Sequence, residues 1–174
     1  MRARLMLLSR LIDRLNRTIG RSAAWLALAM VLVQFAVVVL RYVFGIGSIM
    51  MQEAIIYMHG VLFMMAAADT LLQDEHVRVD IFYAAATPER QALINLLGCA
   101  LLVIPFCILL AYYAYDYVAI SWSVREGSRE TSGIQGIYLL KTVILVFAAQ
   151  LVLQAVSGII KNAQLLLTRE VSHG

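Results

Sequence analysis

Four long, nearly unbroken apolar runs dominate this chain, at residues 22–44, 50–72, 88–123 and 136–163. A helix needs about 20 residues to cross a bilayer's hydrocarbon core, and each run supplies them. The expected fold is an all-α integral membrane protein with four transmembrane helices. Polar connections remain at 73–87 and 124–135, with short segments 1–21 and 164–174 at the ends. A tight turn, Gly45-Ile46-Gly47-Ser48, joins the first two runs. No stretch is long enough for a soluble catalytic domain, so function must reside in the bundle, its loops or a partner.

Composition agrees: 62% of the 174 residues are hydrophobic, and mean hydropathy is +0.82. The net charge is only +3, but its distribution matters more. Arg2, Arg4, Arg10, Arg14, Arg17, Arg21, Arg78, Arg90, Lys161 and Arg169 fall on one side of the expected topology; Arg41, Arg125, Arg129 and Lys141 fall on the other. The positive-inside rule then makes both termini cytoplasmic. The basic N-terminus adjoins a span and reads as a contact for anionic headgroups, not for nucleic acid. The first run is too long for the core of a cleavable signal peptide and ends Arg41-Tyr42-Val43-Phe44, so it reads as a retained anchor.

The third run opens on Thr87-Pro88-Glu89, a helix start with a capping hydroxyl, a proline and an acid. Its apolar part extends for roughly 45 Å as a helix, more than a core of about 30 Å requires. It must tilt, kink at Pro105 or project. Tyr112, Tyr113, Tyr115, Tyr117 and Trp122 crowd its outer end as an interfacial belt. Cys99 and Cys107 lie about 12 Å apart on one helix, too far for a disulfide.

Ionisable groups within spans are functional candidates because burying them is costly. Arg41 and Glu53 lie six residues either side of Gly47, at similar depth, and are expected to pair. Asp116 and Lys141 flank the outer loop symmetrically and form a second expected pair. Asp69 reads as a solvated or paired helix end. His59, the one histidine well inside a span, reads as packed and hydrogen-bonded; a bis-histidine haem would need a second ligand at its depth. His76 and Asp80 share a helical face in the cytoplasmic loop, but two ligands do not make a metal site, and Val77, Val79 and Ile81 alternate like a docked extended segment. No Walker loop, GxGxxG, HExxH or GxSxG is present. An enzyme is not expected, nor is any cofactor.

Arg41-Tyr42-Val43-Phe44, then Gln52-Glu53, then His76-Val77-Arg78-Val79-Asp80-Ile81-Phe82-Tyr83 resembles the small membrane subunit of tripartite ATP-independent periplasmic (TRAP) transporters, the DctQ-like family. Glu126-Gly127-Ser128, Gly133, Lys141 and Gln154 resemble that family's second half. The likeness runs over roughly residues 17–161. It departs at Met50-Met51-Gln52, where many members carry a tryptophan before the glutamate.

The resemblance implies a bacterial inner-membrane location and two partners. A periplasmic binding protein delivers an organic acid to a large membrane subunit, which imports it on a cation gradient. The small subunit would be a scaffold, with Arg41, Glu53 and Lys141 holding helices in register. His76, Arg78 and Asp80 would anchor the cytoplasmic edge, and Glu126 and Ser128 would shape the outer surface. Two other readings stay open here. One is a self-sufficient homo-oligomeric transporter with Glu53 as coupling carboxylate; the other is a membrane redox subunit carrying haem.

Overall fold

The computed structural model describes residues 2–75 and 83–173, and every regular element in them is helical. The first helix runs Arg2–Val43, the second Ile49–Leu72, the third Pro88–Ser123 and the fourth Ile137–His173. Each contains a stretch long and apolar enough to cross a membrane.

Local chemistry sets the boundaries. No glycine or proline break interrupts the first helix at Ser22, so the basic segment and the apolar run form one rod about 63 Å long. Gly45, at φ +70°, turns the chain so that the Ile46 N–H reaches back to the Leu40 carbonyl at 2.9 Å. Ser48 caps the second helix, its Oγ accepting from the Met51 N–H. Thr87 caps the third in the same way, accepting from the Arg90 N–H, with Pro88 and Glu89 in the first turn.

Pro105 neither ends nor sharply breaks the third helix. It has no N–H for the Leu101 carbonyl, and its ring crowds that carbonyl. The helix widens over Cys99–Val103 into a π turn, in which the Ile104 N–H reaches the Cys99 carbonyl. Pro105 then lies in the first turn of the resumed α-helix Ile104–Ser123, where no N–H is required. A register insertion therefore absorbs the proline.

The fourth helix is central and touches each of the other three. Around it Ala68, Cys107, Ala148 and Leu151 form the core, mostly small residues that let backbones approach. Both cysteines are free. The first and second helices pack closely at Gly20. A Cβ there would lie 2.5 Å from the Cβ of Asp69. Asp69, expected as a solvated or paired helix end, is instead buried in this notch.

The two hairpins are staggered. Tyr57, eight residues into the second helix, already meets the loop before the fourth, and Gly60 faces Leu140. The second hairpin thus sits about 12 Å closer to the termini. The first helix runs on past the end of the second, and Ser9, Asp13 and Asn16 lie on the fourth.

The Gly20 notch predicts that Gly20→Ala lowers thermal stability in detergent by about 1–3 kcal/mol, the usual overpacking cost. Gly98→Ala has open space within 4 Å and is expected to be neutral or slightly stabilising. Equal melting temperatures for the two variants would show that the notch does not constrain the packing.

Candidate functional site

The hydrogen-bonded polar side chains between helices gather at the bundle's two ends, whereas Gln150, buried midway along the fourth helix, bonds none of the described residues. At the loop end, Glu53 projects from the first full turn of the second helix toward residues 124–136. One carboxylate oxygen accepts from the Ser128 hydroxyl, the other from the Ile134 N–H at 2.6 Å. The Ser128 hydroxyl also accepts from the Glu130 N–H at 3.1 Å, and the Gly133 N–H closes a turn on the Glu130 carbonyl at 3.0 Å. Gly133 is required here, because a Cβ would collide with both Ser128 and Glu53.

Lys141 holds the other side of the loop. Its ammonium contacts Glu126 at 2.5 Å and lies 3.8 Å from the centre of the Tyr117 ring. The ammonium holds the Glu126 carboxyl below its usual range. Trp122 donates to Thr142 at 2.8 Å and meets the Tyr138 ring edge-on, tying the third helix to the fourth.

At the termini end, Asp13 is the hub. It accepts from Ser157 at 2.7 Å and from Gln154 at 3.1 Å, and it pairs with Lys161. Ser9 lies 2.7 Å from Ser157, and Asn16 donates to Gln154 at 2.9 Å. Ser9, Asn16, Gln154 and Ser157 are all buried. This network fixes the first helix against the fourth.

Several expected contacts are rearranged. Glu53 engages the second loop, not Arg41, which is exposed and has no ion pair among the described residues. Lys141 pairs with Glu126, not Asp116, which lies on the exposed face of the third helix. His59, expected to be packed, is exposed on the second helix. Glu53 with Ser128, and Glu126 with Lys141, are thus brought together in one loop-centred site. His76, Arg78 and Asp80 lie outside the described residues. Among the described residues no three histidine, cysteine or carboxylate side chains group as metal ligands.

The Asp13 network was missed at the level of sequence, although a signal was present. Ser9, Asp13 and Asn16 recur at i, i+4 and i+7, and Gln150, Gln154, Ser157 and Lys161 at i, i+4, i+7 and i+11. Two polar stripes of helical period on apolar helices are made for each other.

A family model described as "Tripartite ATP-independent periplasmic transporters, DctQ component" matches residues 30–165. The chain belongs to this family, the small permease component of TRAP transporters, a transporter component family and not an enzyme class. No curated protein and no solved structure matches it.

Glu53→Gln is expected to expose the Ile134 amide, raising its hydrogen exchange by about tenfold or more, since hydrogen bonds to a charged group contribute about 1.5–3 kcal/mol. Unchanged exchange would remove Glu53 as the loop's fastener. The Glu126–Lys141 pair has a defined pH window. A lowered carboxyl pKa stabilises fully above the ordinary value of about 4.3 and ceases to do so as pH falls through the lowered value. The melting difference between native chain and Glu126→Gln should be flat from about pH 8 to pH 5 and close below about pH 4.

Proposed function

We propose that this DctQ-family chain is the fixed scaffold of a TRAP-type importer in the bacterial inner membrane, with both termini cytoplasmic. In this reading it braces a large membrane subunit that moves an organic acid inward by symport with a cation. A periplasmic binding protein delivers the substrate, and the loop held by Glu53 and Lys141 contributes to the surface on which it docks. Arg41, exposed near the same end, and Asp116, exposed on the third helix, are available to partner or lipid contacts.

The observation that carries the scaffold role is the double tie. Glu53 and Lys141 fasten the loop end, and Asp13 fasten the termini end to Lys161, Ser157 and Gln154. A self-sufficient carrier with Glu53 as its coupling carboxylate needs that group available to an ion, yet both of its oxygens are engaged by the loop. The helices also lack the paired interruptions that build a midplane substrate site in carriers; the described π turn leaves the third helix continuous.

Affinity purification of the chain from gentle detergent, followed by mass spectrometry, tests the proposal. Co-recovery of a much larger multi-spanning protein in stoichiometric amount is expected. Combined Glu53→Gln and Lys141→Ala should reduce the recovered complex and substrate uptake by about tenfold, on the scale of one charged hydrogen bond. Transport in liposomes by this chain alone, abolished by Glu53→Gln, would overturn the scaffold reading.

A further inference from the structure

The first helix carries three distinct faces before it reaches its apolar run. Ser9, Ile12, Asn16 and Gly20 are buried against the neighbouring helices. Arg10, Arg14, Arg17 and Arg21 recur at i, i+4, i+7 and i+11, which aligns them in one exposed stripe. Beside that stripe, Leu7, Leu11 and Leu15 are 59%, 57% and 49% exposed. A basic stripe next to an uncovered apolar one is the constitution of a helix lying in a membrane interface.

The arginines also shape a cavity. Arg10, Arg14 and Arg17 line a groove of about 230 Å³ together with Asp13. Asp13 does not leave a free negative charge there, because Lys161, Ser157 and Gln154 engage it from the side of the fourth helix. The guanidinium groups therefore set the charge of the groove.

Depth points the same way. Ser9 bonds Ser157, and the adjacent Gly158 abuts Cys99 on the third helix. On either side of Cys99, Leu97 and Leu101 are 45% and 65% exposed. At one level the bundle thus shows leucines on one flank and arginines on another. A single bilayer accommodates both when the bundle leans or the arginine side chains snorkel, so that the guanidinium groups reach the headgroup layer while the leucine flank stays in hydrocarbon.

We propose that Arg10, Arg14 and Arg17 form a binding site for the headgroup of an anionic phospholipid in the leaflet at the termini end. The phosphate occupies the groove, held by charge-assisted guanidinium hydrogen bonds, and the acyl chains pass over Leu7, Leu11 and Leu15. The site is separate from the transport role and stands without it.

Trp25, one turn beyond Arg21 and 72% exposed, is a built-in reporter. In a full-length Trp122→Phe chain it is the sole tryptophan. Reconstitution in phosphatidylcholine nanodiscs with a minor brominated lipid compares two quenchers. Brominated phosphatidylglycerol is expected to quench Trp25 at a mole fraction at least about fivefold lower than brominated phosphatidylcholine, the effect of one basic residue near an anionic surface. Replacing Arg10, Arg14 and Arg17 together by Gln should abolish the preference, while replacing them by Lys should retain most of it. If the triple Gln chain does not fold, Arg14→Gln alone should still reduce the preference measurably. Equal quenching by the two lipids, or a preference untouched by these Gln substitutions, would overturn the site. So would loss of the preference in millimolar inorganic phosphate, which identifies a free-anion site, or in the complex with a large subunit, which identifies a protein-covered face.

Discussion

The packing of this bundle hinges on Asp13. In lipid, apolar side chains gain nothing by leaving hydrocarbon for a neighbouring helix, so close packing and interhelical polar contacts must decide which helices meet. Asp13 gathers Lys161, Ser157 and Gln154 around one carboxylate and so brings the fourth helix against the first, beside the second. Interhelical hydrogen bonds in membranes contribute only about 0.6 kcal/mol each on average, but here they are charge-assisted and converge with an ion pair on one residue. A displacement that breaks one strains the others.

The stagger follows from the same contact. Ser9 and Asp13 lie well before the apolar run of the first helix, whereas Ser157 lies well within that of the fourth. Aligning them slides the second hairpin toward the termini. The loop at 124–136 is thereby drawn down to Glu53 and Tyr57, which receive it below the tip of the first hairpin. Small residues then make the middle possible: Gly20 admits Asp69, and Ala68, Ala148 and Cys107 keep the helix backbones close. Polar ends set the register, and a small-residue middle accepts it.

This explains what could be read from the chain and what could not. Span number, the Thr87 cap and the separation of the cysteines depend on local composition, and all were legible. Glu53, Ser128, Glu126 and Lys141 were legible as residues of interest, but not their partners. Equal depth inside each hairpin pairs Glu53 with Arg41 and Lys141 with Asp116. A stagger of about two turns breaks that reckoning for Glu53, which meets the other hairpin's loop. Helix rotation breaks it for Asp116, which faces outward while Lys141 turns to Glu126. Neither quantity is local. The basic character of residues 2–21 likewise concealed the inward-facing stripe of Ser9, Asp13 and Asn16.

Fastening at both ends has a mechanical consequence. If the fourth helix slid past the first and second by a single turn, about 5.4 Å, Asp13 would leave Lys161 while Glu53 left Ile134. Charged groups would be stranded beside apolar surface at both ends, where their desolvation opposes the motion most strongly. The described bundle therefore resists internal shear better than it resists translation or leaning as a whole. Such a body suits a fixed frame against which another subunit moves. It suits poorly a carrier that must rearrange its own helices around a substrate.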